Sequence, residues 1–246
     1  MKILLGSRAK MMFVYTMFAA ITIQAVAVDK EKPKGKLLSA EQKSTIEYFQ
    51  EVALGFEYGN VSPVTRKWKG KMKIFVAGSA DASLVNELNT IVEDINALAS
   101  DGFHIEIVSR QEESNCFVFF GSAKVYAELY PKQAGLLRKA SGLCTVSWNN
   151  HNEIVKGHIF VRTEGNSIEE QRHVIREELT QALGFGKDSP RFMDSIFQSK
   201  FTLPTQYAPI DRELIRMLYH TDMETGLEAS EVEAVLTSIM LARTDA

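Results

Sequence analysis

The segment from Ser167 to Asp188 constrains the fold more than any other part of the chain. Ser167 and Glu170 stand three residues apart and form a capping box, in which a hydroxyl and a carboxylate satisfy free amides at a helix start. Gly184 then supplies the residue most often found just past a helix end. At about 100° per residue, Ile168, Ile175, Leu179, Ala182 and Leu183 share one side. Glu170, His173, Glu177 and Gln181 share the opposite side. An apolar stripe of this length must be buried against another layer, while the polar row faces solvent or a cleft.

The preceding residues supply that layer. Met72–Ala77, Phe103–Val108 and Cys116–Phe120 are short apolar runs with the β-branched and aromatic side chains that strands favour. Cys116–Phe120 is apolar throughout, which suits a strand covered on both faces. Cys144–Trp148 and Glu153–Val161 are joined by Asn149-Asn150-His151-Asn152, turn chemistry that predicts a hairpin. Asp81–Ala99 carries Leu84, Leu88, Ile91, Val92, Ile95 and Leu98 at helical spacing and closes on Asp101-Gly102. Ala123–Tyr130 is a shorter helix stopped by Pro131. Ser39–Leu54 is helical by the spacing of Ile46, Phe49, Val52 and Ala53, and Asp211–Tyr219 and Ala229–Ala242 are the last two helices. Arg66–Lys73 is basic around Trp68 and reads as a solvated strand entry with one packed tryptophan. The order predicts an α+β fold: a twisted mixed sheet backed by helices, with one central helix and a smaller, mainly helical C-terminal part. The expected boundaries are a linker and helix at 28–66, a sheet part at 67–188 and the C-terminal part at 189–246.

The chain of 246 residues is 45% apolar and 24% charged, as globular chains are. Its net charge of −3 lacks the basic excess that nucleic-acid binding calls for. The N-terminus has the layout of a secretory signal: Lys2, Arg8 and Lys10, then the apolar Met11–Ile23, then Ala25-Val26-Ala27 as a cleavage site. Cleavage after Ala27 gives a secreted or periplasmic protein with no membrane span. The alternative is an uncleaved anchor over Met11–Val28. Export puts Cys116 and Cys144 where disulfides persist, and each opens an apolar run. Two neighbouring strand starts bring cysteines within bridging distance; two buried free thiols are the alternative.

Residues 173–188 resemble the zinc helix of metzincin proteases, H-E-x-x-H-x-x-G-x-x-H, with its metal ligands replaced. Glu178, Gly184 and the following Asp188 are in register, but the three histidine positions hold Glu177, Gln181 and Lys187. Downstream, Asp194-Ser195-Ile196-Phe197 is similar to the Met-turn segment, with Phe197 in the methionine's place. Together with Ile210-Asp211, Leu214-Ile215, Leu218-Tyr219 and His220–Gly226, the segment from 173 to 226 resembles a bacterial exported family, domain of unknown function 2927. Thr221 stands where that family's tail carries a proline.

The resemblance implies a zincin-like body and a cleft edged by His173, Glu177, Glu178, Gln181 and Lys187. It implies no zinc, since an amide is a poor zinc donor and an ammonium repels the ion. Without a metal-polarised water Glu178 loses its role as general base, and it is left as the one candidate catalytic residue. Its expected partner is a basic group, Lys187, Arg176 or Arg216; Lys187 is equally expected to pair with Glu177. A shifted metal site would use His173, Glu177 and His220. Two function classes follow. One is a non-catalytic domain that binds a peptide, cell-wall component or protein partner, with Glu153–Val161 as the sheet edge. The other is a hydrolase that uses an atypical metal shell or the Glu177 and Glu178 pair.

Overall fold

The structure is a computed structural model that describes residues 37–57, 61–137, 140–200 and 202–243. The expected signal and its cleavage site lie outside those residues. Five strands form one mixed sheet: β1 (Met72–Gly78), β2 (Ile105–Ile107), β3 (Cys116–Gly121), β4 (Gly142–Trp148) and β5 (Ile154–Arg162). Their order across the sheet is β2-β1-β3-β5-β4. The first four run parallel, and β4 lies antiparallel to β5 at one edge. Six α-helices accompany the sheet among the described residues: α1 (Ala40–Ala53), α2 (Ala82–Leu98), α3 (Ala123–Leu129), α4 (Ile168–Gln181), α5 (Pro209–Leu218) and α6 (Ala229–Arg243).

Strand periodicity sorts the sheet's side chains onto two faces. Ile74, Val118, Phe120, Ile159 and Val161 point into a large core shared with α1, α2, α4, α5 and α6. Phe75, Phe117, Phe119 and Phe160 point the other way, into a small aromatic cluster closed by Tyr126 of α3. Residues 37–246 form one compact unit. The apolar face of α1 is part of the large core, so the boundary expected after residue 66 does not set α1 apart. No helix among the described residues is long and apolar enough to cross a membrane.

Three sequence expectations need correction. The first is the sheet edge, because β5 pairs with β3 on one side and β4 on the other, which leaves β4 at the edge. The hairpin was legible; which of its strands faces the rest of the sheet was not. That order also separates the cysteines. Cys116 on β3 and Cys144 on β4 have β5 between them, about 10 Å at the usual strand spacing and beyond a disulfide's reach. Both are free thiols, and burial pushes both well above the usual thiol range.

The third concerns solvation. Arg66 and Lys67 are buried, and Lys67 pairs with Asp101 at 2.6 Å. Nor is the polar row of α4 open to solvent: His173 is 8% exposed and Glu170, Glu177 and Gln181 are half-buried, while Ile168 on the apolar stripe is 40% exposed. Helix α4 is covered in part by the chain ahead of α5, where Pro204 meets His173 and Tyr207 meets Thr180.

The chain that follows α4 is pinned by Asp211, which is fully buried. Its carboxylate accepts from Ser195 Oγ at 2.6 Å, Ile196 N at 3.1 Å and Ala208 N at 2.9 Å, and Tyr48 of α1 donates to the same Ser195 hydroxyl. Burial pushes the Asp211 carboxyl up to about 6 against these bonds. The turn they hold seats Phe197 in the core against Phe185, ring centres 5.1 Å apart. Asp211→Ala orphans two amides and a hydroxyl at once and is expected to cost about 3 kcal/mol or more. Urea unfolding at unchanged slope checks this; a loss below about 1 kcal/mol would mean that the turn is held by its apolar contacts alone.

Candidate functional site

A cavity of about 330 Å³ lies between the β4 edge and α4. Strand β4 lines it from Gly142 to Val146 and again at Trp148, and α4 contributes Glu177, Glu178 and Gln181. Asp188 and Gly186 enter from the segment after α4, and Phe56 and Glu57 from the segment after α1. Two backbone contacts hold those last segments together: Phe56 bridges Gly186, and Glu57 N donates to Gly186 O at 2.9 Å.

Two glycines make the geometry. Gly184 turns the chain at φ +127°, and a Cβ there would sit 1.9 Å from the Arg66 carbonyl oxygen. Only glycine adopts that turn and tolerates that approach. At Gly142 a Cβ would fall 2.4 Å from Glu178 Oε1 and 2.5 Å from Val174 Cγ1. The strand therefore has no side chain where α4 brings up its carboxyl.

Burial pushes the Glu178 carboxyl well above the usual carboxylate range, helped by the negative charges of Glu177, Asp188 and Glu57 and opposed by the Cys144 backbone amide. Burial likewise pushes Asp188 up to about 7, with Glu177 and Glu57 adding to the shift and the Gln181 amide, 3.1 Å away, opposing it. His173 Nε2 lies 3.3 Å from Glu177, and its Nδ1–H donates to the Pro204 carbonyl at 2.9 Å. Burial disfavours the imidazolium, but Glu177 and Pro204 outweigh it and the His173 pKa rises.

Of the five expected cleft residues, Glu177, Glu178 and Gln181 line one cavity, and His173 braces Glu177 from beside it. Lys187 does not line it: the ammonium lies against Gly55, and among the described residues it forms no ion pair with Glu177 or Glu178. The other basic partners expected for Glu178 are also committed elsewhere. Arg176 pairs with Glu87 and Asp94 of α2, and Arg216 with Glu213. The shifted metal set is not assembled either. His173 adjoins Pro204, ahead of α5, whereas His220 lies past its far end, about 15 Å along a helix of that length.

The three positions in register with metzincin ligands are each engaged elsewhere. Gln181 spends its amide on Asp188, Lys187 offers an ammonium turned elsewhere, and Glu177 is held by His173. Sequence reasoning missed Phe56, Glu57, Gly142 and Trp148. The first two come from a loop with no periodicity, and a glycine at a strand start carries no chemical signal of its own. Asp188 was legible, through its register with the motif.

Fold and cavity together define an α+β domain built on a mixed sheet with a carboxyl-lined pocket at the sheet's edge. The model of one family, described as "Protein of unknown function (DUF2927)", matches residues 42–238. The chain belongs to that family. No curated protein matches it. Among solved structures, the crystal structure of myroilysin is similar at 10% sequence identity and a TM-score of 0.39, over 76% of this chain and 99% of that one.

The raised carboxyls set a pH dependence. A carboxyl whose pKa is higher folded than unfolded adds stability that is full below its unfolded pKa and is lost as pH rises through its folded pKa. Asp188 places that loss between about 4 and about 7. Glu178 extends it upward, and the raised His173 acts in the same direction above its ordinary value. Thermal stability is expected to fall as pH rises from about 5 to about 8, and Asp188→Asn with Glu178→Gln to flatten the slope. Melting curves across that range decide it; an unchanged slope in the double variant would take the cavity out of the account.

Proposed function

We propose that the chain is an exported binding domain on a zincin-like body, and that it holds an extended segment of peptide along the β4 edge. The zincin-like reading rests on Glu178, Gly184 and Asp188 in metzincin register, the tight turn at Gly184, and Phe197 packed beneath it. Export, to the periplasm or beyond the cell, rests on the N-terminal sequence. The observation that carries the binding reading is an open strand edge running beside a cavity.

Hydrogen bonding along β4 makes the edge usable. Arg162 N donates to Ser141 O on the β5 side, while Gly157 N turns away to Asn115 on the other side. The antiparallel alternation then points the amides of Gly142, Cys144 and Val146 outward. Cys144 gives its amide to Glu178. Among the described residues the others meet no acceptor and are placed to pair with an added strand, as in β-augmentation. Peptides of the cell wall or an unfolded stretch of a protein partner meet that description.

A second reading is a metal-free hydrolase. Glu177 and Glu178 line the same cavity although they are adjacent on a helix, and burial drives the Glu178 carboxyl toward its protonated form. Carboxyls held in opposite protonation states are what acid–base hydrolysis needs.

Two measurements separate the readings. Purified protein is expected to carry no stoichiometric zinc, to melt at the same temperature with and without EDTA, and to release no product from unstructured peptides. Turnover that is lost in Glu178→Gln would establish the hydrolase instead. Val146→Pro removes an outward amide without touching the β5 ladder. It is expected to weaken peptide binding by about tenfold, one hydrogen bond's worth; unchanged affinity would rule out the β4 edge.

A further inference from the structure

We infer that the cavity beside β4 selects a cationic side chain, a lysine or arginine of the segment bound at that edge. The inference rests on the edge-binding reading and adds the chemistry of the guest. Among the described residues, every side chain that lines the cavity with a formal charge is a carboxyl: Glu57, Glu177, Glu178 and Asp188. Among the described residues, His173 pairs with Glu177, and no lysine or arginine pairs with any of the four acids. Arg66 lays its guanidinium on the Trp148 ring at 4.5 Å and spends its amines on Ser62 and Val64. Lys187 is turned to Gly55.

Glu178 points to a guest independently of the charge count. It is more than nine-tenths buried and lines the cavity, and neither carboxyl oxygen meets a side-chain donor among the described residues. Among the described residues, the Cys144 backbone amide is the one group that favours its charged form. A buried carboxyl normally has more partners than that, because each lone pair withdrawn from water has to be replaced. An ammonium or guanidinium entering from the β4 side would complete it.

The rest of the lining suits the stem of such a side chain. Leu143 and Val146 of β4, Leu136, and the stacked rings of Phe56 and Trp148, 3° from parallel, present carbon surface around the acids. Lysine and arginine are the side chains that combine a long apolar stem with a cationic head. The volume is near the lower limit for ligand pockets, which fits one side chain and excludes a large cofactor. The carboxyls also raise one another's proton affinity, so a resident cation relieves a repulsion that the empty cavity bears.

The test uses the full chain and three capped pentapeptides, alanine throughout except for a central lysine, norleucine or glutamate, together with n-butylammonium. Titration calorimetry at neutral pH is expected to give the lysine peptide about tenfold tighter binding than the norleucine peptide, the worth of one partly buried ion pair. The glutamate peptide should bind more weakly than either. Glu177→Gln with Asp188→Asn should abolish the lysine preference, and a circular dichroism spectrum matching that of the unsubstituted chain shows that variant to be folded. Equal affinity for lysine and norleucine peptides overturns the cation inference and leaves the edge reading standing. If n-butylammonium shifts the Gly142 and Cys144 amide resonances while no peptide binds, the cation site stands and the edge reading falls. If neither peptides nor n-butylammonium bind, both are overturned.

Discussion

Arg176 sits in the middle of α4 and is about 1% exposed, so a full positive charge is carried inside the protein. A buried guanidinium is tolerable only when it is paired. Glu87 and Asp94 of α2 meet it at 2.6 and 3.3 Å, and the Tyr207 ring covers it at 4.7 Å. Asp94 reaches on to Arg212 of α5 at 3.1 Å. One charge thus ties together α4, α2, α5 and the strap that crosses them. Much of what surrounds α4 follows from it: a helix that buries a cation cannot leave the side that carries it to solvent.

The same helix is satisfied at its C-terminal end, where carbonyls lack intrahelical partners. Trp68 Nε1 donates to Ala182 O and the Tyr219 hydroxyl to Leu183 O, both at 2.8 Å. These two bonds stop the helix where Gly184 turns, and Asp188 then comes back toward Gln181. The cavity is a product of that economy. Its acids are rigidly placed because the chain around them is fastened by tryptophan, tyrosine and glycine, none of which lines the pocket at those positions. The acids themselves have few bonds among the described residues, and the proposed binding role rests on that contrast between a well-tied frame and under-tied carboxyls.

Local structure was largely legible because its causes are local. The capping boxes Ser39 with Gln42 and Ser167 with Glu170 form as written, and Asp81 caps α2 through the Leu84 amide. The strands sit within a few residues of their apolar runs. Strand order leaves only a faint trace in the sequence: Ile159-Phe160-Val161 is apolar without alternation, the pattern of an interior strand, whereas β4 carries Thr145 and Ser147. Coverage of α4 was not legible at all. His173 and Glu177 look like a solvated row until Pro204 arrives from far along the chain. Among cavity residues, Glu177, Glu178 and Gln181 were found through a motif; Glu57 and Phe56 depend on a backbone bridge to Gly186 that no spacing encodes.

The sheet is covered unequally. Among the described residues, five helices share one face, while the seven-residue α3 and Tyr130 and Leu137 after it shield Phe117, Phe119 and Phe160 on the other. Opening that thin side costs far less than opening the thick one, since regions with few apolar contacts unfold first. Once α3 lifts, Cys116-Phe117-Val118-Phe119-Phe120 lies bare on one face, uncharged and proline-free. Stretches of that composition stack with their own kind. The domain's weakness in crowded or heated solution is therefore self-association through its rear aromatic ladder, remote from the pocket.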